Sequence, residues 1–139
     1  MPLTASHTRL THEGATLMLQ AAVAKATAMG QPQCIAIVDD GCNLLAYLRM
    51  DGAKLLSRES ALHKAMTAAS SRAPTGHTPD GLDAKLALAT GGKVTNLKGG
   101  LPLVLNGQVI GGIGVGSGTG DQDVEVGQAA IAALVGAVG

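Results

Sequence analysis

The stretch from Cys34 to Ala69 constrains the fold more than any other part of the chain. It reads CIAIVDDGCNLLAYLRMDGAKLLSRESALHKAMTAA: an apolar run, a tight turn, a second apolar run, a polar corner and an amphipathic helix. Gln33 to Asp39 reads as a strand, with β-branched Ile35, Ile37 and Val38. Asp40-Gly41 signals a hairpin, and a type I′ turn there requires positive φ at both central residues. Leu44 to Met50 pairs back, with Leu44, Ala46, Leu48 and Met50 on one side and Leu45, Tyr47 and Arg49 on the other. Asp51-Gly52 breaks the strand. Ser57 is then placed to cap a helix over Arg58 to Ser70. Ala61, Leu62, Ala65, Met66, Ala68 and Ala69 form its expected buried face, with Ser60, His63, Lys64 and Thr67 opposite.

The flanking segments complete an α+β pattern. Met1 to Leu10 is short and polar, and is expected to be a flexible tail. Ala15, Met18, Leu19, Ala22, Ala26 and Met29 recur at three- and four-residue spacing, which predicts a helix from Thr11 to Met29. Gly30 and Pro32 stop it. Beyond Ser70, Arg72 to Pro79 reads as a loop and Gly81 to Ala89 as a short helix ended by Gly91-Gly92. Lys93 to Leu97 reads as a short strand or a loop. Leu101 to Leu105 and Gln108 to Val115 flank Asn106-Gly107, a second hairpin signal. Thr119 and Gln122 fit a capping box, with Asp121 and Asp123 favourable in the first turn of a final helix that runs to Val138. Val124, Gly127, Ile131, Leu134 and Val138 share one face of that helix. Strands arriving as hairpins imply a mainly antiparallel sheet with helices packed on it, in one domain spanning 1–139.

Composition decides what fills the core and which partners are excluded. The chain has no Phe, no Trp and one Tyr, so burial falls to Ala, Leu, Val, Ile and Met. Small side chains bury little area each and demand close approach of the elements, which makes self-association plausible. Ten basic residues balance ten acidic ones without a block of either sign. A nucleic-acid binder would show a basic patch or stacking aromatics, and neither is present. No run of about 18 apolar residues offers a membrane span. The N-terminus lacks the basic-then-apolar pattern of a secretory signal. A cytoplasmic protein is expected. Cys34 and Cys42 fall at opposite ends of the hairpin, roughly 15 Å apart at strand rise, too far for a disulfide. Two free thiols suit a reducing compartment.

Several stretches, taken in order, resemble the GlcG/HbpS-like haem-degrading family, which includes the C-terminal domain of PduO-type proteins. They are Ala36-Ile37-Val38-Asp39 with Gly41, Arg49-Met50-Asp51-Gly52-Ala53, Ser57, and Ala61 to Ala69 with Lys64-Ala65 and Thr67-Ala68. Gly99-Gly100 with Pro102, Asn106-Gly107, Ile110 to Val115, and Asp121 with Asp123 complete the series. The resemblance implies a profilin-like sandwich around an antiparallel sheet, homo-oligomeric assembly, and the binding of haem, iron or another small ligand.

Arg49, Asp51 and Lys64 form the constellation expected to meet a ligand. A guanidinium and an ammonium suit a carboxylate, whether a haem propionate or a small organic acid. The plainer alternative is that Arg49 and Asp51 pair and fix the corner. Gly99, Gly100 and Pro102 are able to bring backbone close to the same ligand. They form no nucleotide fingerprint, and the aspartates after Gly120 would repel phosphate. His12, at the first helix start, and His63 are candidate haem or iron ligands. The plainer alternative is that both are surface histidines. Asp51 and His63 are the candidates for proton transfer. Three function classes therefore stand. One is a protein binding haem or a small anionic molecule. The second is an isomerase or hydrolase acting on a small organic acid. The third is a non-catalytic assembly or accessory domain.

Overall fold

The computed structural model describes all 139 residues, Met1 to Gly139. Eight elements follow one another: helix α1 (His12–Met29), strands β1 (Cys34–Asp39) and β2 (Leu44–Arg49), helices α2 (Ser57–Ser71) and α3 (Leu82–Ala89), strands β3 (Gly100–Leu105) and β4 (Gln108–Gly116), and helix α4 (Gly120–Val138). The element order is the one the sequence predicts, and Lys93 to Leu97 is a loop. The strands form a single antiparallel sheet in the order β2-β1-β4-β3. This is the expected α+β sandwich.

Local chemistry explains most boundaries. Thr11 caps α1 by accepting the Gly14 N–H at 3.1 Å, and Gly30, at φ 68°, ends it. Thr119 and Gln122 close the capping box of α4. Asn106 and Gly107 both take positive φ (50° and 75°), as a type I′ hairpin requires. The first hairpin differs from expectation. Its positive φ falls on Cys42 (63°), after a turn closed by Cys42 N–H donating to Asp39 O at 3.1 Å. The Asp39 carboxylate accepts the Gly41 and Asn43 amides at 2.9 Å each, which stabilises this longer loop over a two-residue turn. Ser57 is also not a cap. It is the first residue of α2, and Leu56 at the cap position makes no side-chain bond.

The two faces of the sheet are built differently. On one, Ile35, Ile37, Leu103, Ile113 and Val115 meet Met18 and the alanines of α1 and Val126, Ala130 and Leu134 of α4. On the other, Cys34, Ala36 and Val38 meet Ala61, Ala65 and Ala69 of α2. Opposite those alanines β4 presents Gly112, Gly114 and Gly116. A Cβ on Gly114 would run into Ala61 O, and one on Gly116 would lie 2.8 Å from Ser60 Oγ. So α2 lies directly on backbone. That closeness buries more of α2 than its apolar stripe suggests: Lys64 and Thr67 are buried with the alanines. The wheel of α4 is likewise turned from expectation. Asp123, Val126, Gly127, Ala130 and Leu134 face inward, and Val138 is exposed. The tail is tied at two points, since Leu10 is buried and His7 Nε2 lies 3.0 Å from Asp40 Oδ2. No helix is long and apolar enough to cross a membrane.

Candidate functional site

Lys64 sits in the middle of a helix face otherwise made of Ala and Thr. Its ammonium donates to Val115 O at 2.7 Å and to Asp123 Oδ2 at 3.0 Å. Both side chains are almost wholly buried, at 5% and 2% exposure. Asp123 Oδ1 accepts the Gly118 N–H at 3.1 Å. Thus one pair ties α2, the end of β4 and the first turn of α4 together. Burial pushes the Asp123 carboxyl above the usual range, against the opposing pull of the Lys64 charge and the Gly118 amide. Taking both charges out of water costs several kcal/mol, which apolar side chains would avoid. Glycines clear the space: a Cβ on Gly99 would come within 2.8 Å of Asp123 Cβ and 3.0 Å of Lys64 Nζ. Behind the pair the Gln33 carboxamide is fully buried and makes no hydrogen bond.

Lys64 and Asp123 form the floor of a cavity of about 380 Å3 between the starts of α2 and α4. Lys54 and Lys98 stand at its rim, and Ser57, Ser60 and Ser117 supply hydroxyls. Leu97 is its single apolar side chain. Lys54 is fixed through its backbone, whose N–H donates to Ser117 Oγ at 2.9 Å. Ser117 holds φ at 94°, a strained value for a residue with a side chain. Lys98 binds Asp121 on the surface, and that bond holds the Asp121 carboxyl below its usual range. At the α4 N-terminus the amides of Gly120 and Asp121 have no acceptor within the protein. Of these two residues Gly120 lines the cavity, and a free helix amide, ammonium groups and hydroxyls around one small space are the chemistry of an anion site.

The residues singled out from sequence separate into three places. Lys64 is at this cavity, and Gly99 packs against its ammonium. Gly100 supports the site from behind, its N–H donating to Thr75 Oγ1 at 2.8 Å. Pro102 lies half-buried on edge strand β3. Arg49 and Asp51 do not line the cavity. Both are exposed and make no ion pair with each other; Arg49 Nη1 reaches only Ala53 O, at 3.5 Å. His12 is exposed and His63 is half-buried. No three His, Cys, Asp or Glu side chains gather to hold a metal ion. Cys42 is not a poised nucleophile, because burial and the charges of Asp39 and Asp40 push its thiol up.

Sequence reasoning missed Lys54, Lys98, Ser117 and the buried role of Asp123. The available signal was the alternation Gly112, Gly114, Gly116. A strand face without side chains draws a helix onto the backbone, and a lysine on that helix then needs a buried acidic partner.

The chain is similar to known proteins over nearly its whole length. Residues 10–132 match the model of the haem degrading protein HbpS-like family. An uncharacterized 15.0 kDa protein from the dhaT-dhaS intergenic region of Citrobacter freundii is 39% identical over 120 residues, covering 82% of this chain and 84% of its own. The crystal structure of Klebsiella pneumoniae protein ORFY superposes with a TM-score of 0.91 at 31% identity, covering 97% of each chain. A structure of a PduOC–haem complex superposes at 0.82 with 32% identity, covering 91% of this chain and 95% of the other. With matches of this extent on the same antiparallel sandwich, the chain belongs to the HbpS-like family.

Proposed function

We propose that this protein binds a small organic carboxylate in the cavity between the starts of α2 and α4. The observation that carries the reading is the presence of Lys54, Lys98 and Gly120, with its unbonded amide, around one polar space. A carboxylate there takes an N–H donor from Gly120 and an ammonium from Lys54, while Lys64 and Asp123 hold the floor rigid. The exposed Leu44, Leu55 and Leu56, at 51%, 65% and 71%, support self-association of the protein.

The family description and the PduOC–haem structure raise haem as the ligand. Haem requires a broad apolar slot and an axial donor. The cavity offers one apolar side chain and no His, Cys, Met or Tyr, and neither His12 nor His63 lines any of the five main cavities. The residues of this cavity therefore do not fit haem.

Calorimetric titration with propionate and spectroscopic titration with haemin separate the two readings. The expected result is saturable propionate binding that weakens about tenfold, or ~1.4 kcal/mol, in Lys54→Met. No propionate binding, together with a saturable Soret shift abolished by His12→Ala or His63→Ala, would overturn it.

A further inference from the structure

Three serines line the cavity, and they are not equivalent. Ser60 Oγ donates to Ser57 O at 3.1 Å, so its proton is used within the helix. Ser57 Oγ has no partner within the protein. It is also free of capping duty, since the amides of Ser57, Arg58 and Glu59 donate to Lys54 O, Leu55 O and Leu56 O. Ser117 Oγ accepts the Lys54 amide at 2.9 Å through a lone pair and keeps its own O–H. Ser117 stands between Gly116 and Gly118 at φ 94°, a conformation that glycine takes at no steric cost. A hydroxyl is thus kept where a glycine would relieve strain, and strain of this kind gathers at binding sites.

The fold brings these two serines to one corner of the cavity. Ser57 N–H donates to Lys54 O at 3.2 Å while Lys54 N–H donates to Ser117 Oγ, so both serines are tied to Lys54. Gly116 keeps the corner open: a Cβ there would lie 2.8 Å from Ser60 Oγ and 3.4 Å from Ser57 Cβ. Resting on the carboxylate reading above, we propose that the ligand is a short hydroxycarboxylate, with its carboxylate at Lys54 and Gly120 and its hydroxyl at Ser57 and Ser117. A hydroxyl suits this pair because it accepts from Ser117 and donates to Ser57. A ketone only accepts. A ligand without that oxygen displaces water from the serines and returns no hydrogen bond. Ser57 is therefore the residue that tells a hydroxy acid from its plain counterpart.

The test titrates the intact protein with propionate, pyruvate and lactate, which carry a methylene, a ketone and a hydroxyl at the same carbon, and follows amide shifts at neutral pH and fixed ionic strength. Lactate is expected to bind about fivefold tighter than propionate, the size of one net hydrogen bond, with pyruvate between them. Ser57→Ala is expected to remove the advantage of lactate over pyruvate and to leave propionate unchanged. Ser70→Ala, at an exposed position on the same helix and outside this cavity, is expected to leave all three ratios as they are. Equal binding of lactate and propionate to the wild type overturns the hydroxy-acid assignment while leaving the cavity as a carboxylate site. A preference for lactate that survives Ser57→Ala overturns the role given to Ser57. Binding of none of the three overturns both this inference and the carboxylate reading.

Discussion

The two faces of this sheet solve the same packing problem in opposite ways. The α1/α4 face fills space with Ile, Leu, Met and Val. The α2 face removes it, setting alanines of the helix against glycines of β4. The first is a core of volume, where loss of a methylene leaves a gap. The second is a core of contact, where gain of a methyl group has nowhere to go. Only the second brings a helix close enough for a lysine to reach a strand carbonyl and an aspartate on the next helix at once. The candidate site lies where that close-packed face ends and the chain opens into the loops that carry Lys54, Lys98 and Ser117.

The largest expected effect is on the buried pair. Lys64→Ala leaves Asp123 alone in the interior and should cost ~3–5 kcal/mol in urea unfolding at neutral pH. The loss should shrink in acid, because burial already favours the protonated carboxyl of Asp123. Replacing the pair by Lys64→Met with Asp123→Leu should recover most of the stability. If Lys64→Ala costs less than Ile113→Val, the pair does not hold the helices together.

The glycine face gives the next effect. Gly114→Ala has to lift α2 from Ala61 O, and should cost ~1–3 kcal/mol or more. Ile113→Val, one residue away but facing α1 and α4, should cost ~0.5–1.5 kcal/mol. Equal costs would erase the distinction between the two faces.

The smallest effect lies at the edge strand. Burial, with a contact to Cys34, pushes the Tyr47 hydroxyl up to about 12 from its usual 10.0. Between those values the unfolded chain releases its proton and the folded chain keeps it, so the unfolded state gains and stability falls as pH rises. Tyr47→Phe should lack that alkaline slope. An identical slope in both proteins would contradict the raised value of the Tyr47 hydroxyl.

The fold was legible because its signals are local. Thr11, Thr119 with Gln122, Asn106-Gly107 and Gly91-Gly92 act within a few residues of themselves, and each marks a boundary in the structure. The site was legible only in part. A helical wheel puts Lys64 opposite the alanines, since it counts apolar residues and knows nothing of the glycines that α2 will rest on. Asp123 reads as an ordinary acidic first-turn residue, because its partner is 59 residues away. Lys54 and Lys98 sit in loops, where no periodicity marks direction. Arg49 and Asp51 drew attention by adjacency to a corner, but the strand leaves both on the surface.

The most direct test of a carboxylate site between α2 and α4 is an amide-shift titration of the intact protein with propionate. The structure predicts saturable shifts centred on Ser117 to Asp121 and on Lys54, and none centred on His12 or Asp51. Shifts that never saturate, or that gather at Arg49 and Asp51 while the start of α4 stays still, would contradict it.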